Sequence, residues 1–167
     1  GEIHGTTVRD GSVSMSVARF AKTRLRSASA VVSGPDESHA IGARIASELV
    51  GDGLRAIFVL SDGLNVNGSE LVRGINGVVG PDVVVTGGLA GDGTRFEKTW
   101  VLAGKQAGPN LVGAVGLYGD HVVVQHGSLG GWDAFGPERT VTRASANVLF
   151  ELDGKPALDL YKQYLGE

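Results

Sequence analysis

Residues 86–96 read TGGLAGDGTRF and follow the apolar run Val83-Val84-Val85. Glycines stand at 87, 88, 91 and 93. Glycine permits positive φ and leaves peptide N–H groups uncovered. A series of uncovered N–H groups forms a concavity that binds an anion such as a carboxylate. Gly87, Gly88 and Gly91 are therefore candidate ligand-binding residues. Asp92 stands beside them, able to pair with a ligand amine or to hydrogen-bond its own turn; for this residue alone the turn is the preferred role. A dinucleotide fingerprint needs a third glycine where Phe96 stands, and a helix after it. The following FEKTWVLAG has the pattern of a strand, so no helix N-terminus is offered to a pyrophosphate. A P-loop fails as well, because no Gly-Lys-Ser/Thr closes the loop.

Three further places carry reactive side chains. Ser61-Asp62-Gly63 ends the apolar run LRAIFVL, and loops at such strand ends carry function in open α/β sheets. Asp62 is a second, weaker candidate for ligand contact, against the simpler reading that Asp62-Gly63 makes a turn. Ser61 is not in G-x-S-x-G, and no histidine lies near it in sequence. Trp132 and Phe135 sit in GGWDAFGP, where an aromatic stacks on a ligand or plugs the edge of a core; plugging is preferred, with Trp132 kept as a ligand candidate. Arg143 is expected to meet a carboxylate, most simply Glu151 on the next strand. His121 and His126 bracket one expected strand at odd spacing and face opposite sides of it, so they do not share a metal through that strand. His39 is expected on the surface near a helix start. Neither a catalytic set, a metal site nor a cofactor site is assigned.

The elements that hold these residues follow from periodicity. SVSMSVARF (12–20) and RLRSASAVV (24–32) alternate and predict an antiparallel hairpin. A helix is predicted over 36–50, with Pro35 in its first turn and the stripe Ile41, Ile45, Leu49. Residues 54–63 predict a buried strand, and 68–79 a second helix capped by Asn67, with Glu70 at capping-box spacing. DVVVT (82–86) predicts another buried strand. FEKTWVLAG, NLVGAVGLYG and HVVVQHG predict an antiparallel meander over 96–127. Two short strands (139–144 and 147–152) and a helix over 155–165 complete the chain. The expected fold is α+β: mixed, largely antiparallel sheets of roughly nine strands covered by three helices.

The 167 residues suit one domain. With 15 Lys+Arg against 18 Asp+Glu the net charge is −3, which argues against nucleic acid as the main partner. The densest basic stretch, Arg19, Lys22, Arg24 and Arg26, reads as a solvated strand pair and turn. Cysteine is absent, which excludes disulfides and thiolate chemistry within the chain and fits a cytoplasmic setting. No apolar run approaches the ~18–20 residues of a membrane span. There are 27 glycines without a collagen period, so they mark turns and close backbone approaches.

In order along the chain, SDGLNVNGSELVRGIN, VVVTGGLAGDGTRFEKTWV, VGAVGLYG and GGWDAFGPERTVTRASANVLFELDGKPALDLYKQYLGE resemble the N-terminal FIST domain. This is a sensory-type domain of prokaryotic signalling proteins, found beside an F-box in eukaryotes. The resemblance is strong over residues 55–167 and weak before them. It implies that residues 1–167 are a single FIST N-terminal domain fragment. The opening GEI resembles the tail of the family's early segment, so the portion before it, and the C-terminal FIST domain that follows in the family, lie outside this chain. The resemblance further implies a cytoplasmic ligand-sensing module for a small polar metabolite such as an amino acid, with no established catalysis. The alternatives are a hydrolase-like enzyme on a small amide or ester, centred on Ser61 or Asp62, and a protein-interaction scaffold without ligand. Surface left uncovered by the missing parts is expected to favour self-association.

Overall fold

A computed structural model of the protein describes residues 2–130 and 136–166. It divides into two compact units, Gly1–His126 and Gly127–Glu167. Among the described residues there are eleven strands and three α-helices in mixed, largely antiparallel sheets, a slightly higher strand count than the sequence suggests.

The first unit is built on a four-stranded sheet. In chain order its elements are the hairpin β1 (Glu2–His4) and β2 (Thr7–Arg9), β3 (Arg24–Val31), α1 (Ser38–Leu49), β4 (Leu54–Ser61), α2 (Gly68–Val79), β5 (Val84–Leu89), the hairpin β6 (Val101–Ala103) and β7 (Gln106–Gly108), and β8 (Leu111–Tyr118). The sheet order is β3-β8-β4-β5. β8 pairs antiparallel with both β3 and β4, while β4 and β5 are parallel and joined through α2. Residues of β8 are buried or half-buried throughout, the pattern of a central strand covered on both faces.

The sheet corrects three expectations. Residues 12–20 form no strand, and Val13, Met15 and Val17 are more than 80% exposed. Their alternation makes an amphipathic ribbon, but β3 takes its partner from β8, 80 residues further on, through the register Arg24↔Tyr118 to Val31↔Leu111. β8 belongs to the central sheet and not to a meander. Residues 121–127 form no strand either. A strand needs a hydrogen-bonding neighbour, which local periodicity cannot name.

Helices α1 and α2 cover one sheet face. Ile45, Leu49, Ile57 and Ile75 are fully buried between the layers, each worth about 1.5–3 kcal/mol of burial. Ala28, Ala30 and Ala114 keep the sheet surface low beneath the helices. The two helices meet backbone to backbone. A Cβ on Gly42 of α1 would lie 2.2 Å from the carbonyl oxygen of Leu71, and one on Gly74 of α2 would lie 2.1 Å from that of His39. Each glycine thus admits the other helix. Their ends are tied as well. The Ser38 hydroxyl, at the start of α1, accepts from the amide of Asn67, and the Asn67 side chain accepts from the amide of Glu70. The Glu70 carboxylate turns away from the capping box and pairs with Arg73. At the other end of α1, Arg26 donates to the carbonyl of Glu48 at 2.7 Å and the Tyr118 hydroxyl donates to that of Leu49. Two members of the basic stretch are thereby explained, since Arg24 also lies 4.4 Å over the Tyr118 ring and donates to the Asp52 carbonyl.

The second unit holds β9 (Val141–Ser145), β10 (Val148–Leu152), β11 (Lys155–Pro156) and α3 (Ala157–Leu165), with sheet order β11-β10-β9. Arg143 and Glu151 are cross-strand partners, with a 2.8 Å hydrogen bond between them, as the sequence leads one to expect. Arg139 bridges the Asp153 carboxylate and the Tyr164 hydroxyl.

The close crossing predicts that Gly42→Ala and Gly74→Ala each lower stability by about 1–3 kcal/mol through overpacking. Gly77→Ala lies in the same helix, and its added Cβ meets nothing within 4 Å. It should raise stability by roughly 0.5–1 kcal/mol through helix propensity. Urea unfolding of the three variants measures the contrast.

Candidate functional site

The C-terminal end of β4 is organised by one buried carboxylate. Asp62 is 1% exposed. Its Oδ1 accepts from the amides of Leu64 and Asn65 at 2.9 and 2.7 Å. Its Oδ2 accepts from the Thr99 hydroxyl at 2.8 Å and the Asn110 amide at 3.0 Å. The Thr99 oxygen in turn accepts from the Gly63 amide, and Asn65 Nδ2 donates to Asn110 Oδ1. Burial pushes the Asp62 carboxyl up, but the amides of Asn65, Asn110 and Leu64 and the Thr99 hydroxyl outweigh it and hold the group below its ordinary value. The result is a rigid turn that joins β4, the segment before β6 and the start of β8.

Beside this turn lies a cavity of about 480 Å³, within the size range of small-molecule sites. Its walls are the end of β4, the first turn of α2 and the C-terminal half of β5, with His126 at the margin. This is the crevice at the carboxyl ends of parallel strands where open α/β sheets bind ligands. Val59, Leu71, Val72, Val85 and Leu89 make it mainly apolar. The polar residues on its wall are Ser61, Ser69 and Thr86, together with Gly87 and Gly88, which have no side chain to cover their peptide groups. Ser61 is 1% exposed. Its hydroxyl has no hydrogen-bond partner among the described residues, yet none of their fully enclosed side-chain N or O atoms is left unpaired. The hydroxyl therefore meets the open space of the cavity.

The structure divides the sequence candidates. Gly87 and Gly88 line the cavity. They do so from within β5, so the glycine run begins inside a strand and not in a loop. Gly87 has φ 149°, and a Cβ there would lie 1.7 Å from the Val59 carbonyl oxygen. Its primary task is a close approach between β4 and β5. Gly91 is exposed and does not line the cavity. Nor does Asp92, whose carboxylate accepts three amides of its own turn, from Phe96, Glu97 and Lys98, each at 3.0 Å. The Lys98 and Glu97 amides foremost hold that carboxyl below its ordinary value. Asp62 faces its own hydrogen-bond network beside the cavity. Trp132 and Phe135 lie outside the described residues.

Sequence reasoning did not single out Ser69, Thr86, Leu89 or His126 as neighbours of Ser61. The available signal was the Asn67 cap, which starts α2 within a few residues of the end of β4. Among the described residues no three His, Asp or Glu side chains are grouped to hold a metal ion, and no helix is long and apolar enough to cross a membrane.

A family model described as the FIST N domain matches residues 1–155. Neither the curated proteins nor the solved structures hold a significant match to the chain.

The Asp62 network sets a stability prediction. Asp62→Ala orphans several buried donors and should cost about 2–4 kcal/mol at neutral pH. Because the folded-state pKa is depressed, the ionised carboxylate's contribution is complete above the ordinary Asp range. It disappears as pH falls through the folded value. The stability gap between wild type and variant should therefore narrow below about pH 4, measured by denaturant unfolding across pH.

Proposed function

Since this chain belongs to the FIST N domain family, a family of sensory domains in signal transduction, we propose that it is a ligand-binding sensor whose site is the cavity between β5 and the start of α2. The observation that carries this reading is Ser61, a nearly enclosed residue whose hydroxyl has no partner among the described residues and opens on a mainly apolar cavity. A hydroxyl that has no protein partner and opens on such a cavity is free to donate to, or accept from, a bound molecule. The expected ligand is a small metabolite, with amino acids and related carboxylates as the class the family resemblance suggests. The absence of cysteine supports a cytoplasmic place for it.

A hydrolase reading draws on Ser61 and His126 sharing one cavity. It is weaker because, among the described residues, no carboxylate lines that cavity to orient the imidazole, and the nearest in sequence to Ser61, Asp62, has both oxygens engaged. The sensor reading is the one we adopt.

Binding to the folded state alone raises thermal stability with ligand concentration. A thermal-shift screen of amino acids, oxo acids and simple carboxylic acids at millimolar concentration should give at least one saturable increase in Tm. No shift across all three classes contradicts a small-molecule site.

A further inference from the structure

We propose that the cavity selects an aliphatic monocarboxylate that has no ammonium group, such as a branched 2-oxo acid, rather than an amino acid. The inference rests on the sensor reading above and narrows its ligand.

The head group follows from the donors. α2 is twelve residues long, and its first-turn residues Gly68 and Ser69 lie on the cavity wall. The Asn67 side chain satisfies the amide of Glu70, and the Asn67 carbonyl satisfies that of Leu71. The amides of Gly68 and Ser69 have no partner among the described residues. Two free N–H groups at the positive end of a helix suit an anionic oxygen. The Ser61 hydroxyl, unpartnered and open to the cavity, supplies a third donor. Among the described residues, no Lys or Arg lines the cavity. That donor set suits a single negative charge better than a phosphate or a dicarboxylate, which call for cationic partners.

The tail follows from the walls. Val59, Leu71, Val72, Val85 and Leu89 surround the remaining space with branched aliphatic side chains.

Exclusion of the ammonium group follows from the acids. Among the described residues, none on the cavity wall is Asp or Glu. The two aspartates near the site in sequence are already satisfied, Asp62 by Leu64, Asn65, Thr99 and Asn110, and Asp92 by its own turn. An ammonium group held against these wall residues would gain no counter-charge from them. A ketone oxygen or a bare methylene in its place needs none.

Titration calorimetry on the intact chain, with 4-methyl-2-oxopentanoate, leucine and 3-methyl-1-butanol as matched probes, tests this. The oxo acid should bind at least about tenfold more tightly than leucine and than the alcohol. Leucine binding as tightly as the oxo acid overturns the ligand class while leaving a sensor in place. The alcohol binding as tightly as the oxo acid overturns the carboxylate head. No heat from any of the three probes overturns this inference, while the sensor reading is decided by the wider thermal-shift screen. Two variants locate the site. Gly68→Pro deletes one amide N–H at the helix position proline favours, after an Asn67 whose ψ of 101° suits the residue before a proline. Ser61→Ala deletes the hydroxyl. Each should keep a cooperative unfolding transition and weaken oxo-acid binding about tenfold; unchanged affinity in both overturns the assignment.

Discussion

The site end of the first unit depends on a carboxylate placed where water does not reach. Asp62 gathers donors from Leu64, Asn65, Thr99 and Asn110, residues spread over almost fifty positions of sequence. A buried carboxylate is tolerable only when its lone pairs are filled. The same requirement fixes where the chain must be after β4, before β6 and at the start of β8. Ser61, one residue earlier and on the opposite side of the pleat, is thereby held against the cavity. Removing the Asp62 carboxylate would leave the amides of Leu64, Asn65 and Asn110 and the Thr99 hydroxyl without their shared acceptor.

The helix layer meets a different constraint. Gly42 and Gly74 let α1 and α2 approach through their backbones, and Ser38 links the start of α1 to the Asn67 cap of α2. This sets the height at which the first turn of α2 stands over β5. Gly87 sets the other wall, since its missing side chain lets β5 close on the carbonyl of Val59. The cavity is the gap that remains between these two close approaches. Its apolar lining and unshared donors come from different elements, each positioned for a packing reason of its own.

Glycine therefore does several distinct things in this chain. Gly42 and Gly74 admit a helix, Gly87 admits a strand, and Gly91 meets only open space. One run of sequence, 87 to 93, mixes these roles. Composition signals that the backbone comes close to something there. It does not distinguish a carbonyl of the next strand from a ligand, because both need only the absence of a Cβ.

Local chemistry was legible wherever a residue acts on its near neighbours. The amphipathic stripes of α1 and α2, the Asn67 cap, the turn role of Asp92 and the Arg143–Glu151 pair are all written in short spacings, and the ordered segments carry the family. Pairing was not legible. The alternation of residues 12–20 matches a strand as well as 24–31 does, yet only the latter meets β8, and the insertion of β8 between β3 and β4 depends on registers across 80 to 94 residues on one side and 51 to 64 on the other. The same holds for the site. The sequence determined which groups are able to donate, accept or stand aside. Only the tertiary structure decided that the Asp62 and Asp92 carboxylates serve the fold, while the Ser61 hydroxyl and the first amides of α2 stay free around one cavity. Whether a polar group is satisfied is a property of distance in space, and chain spacing leaves that distance undetermined beyond a turn or two.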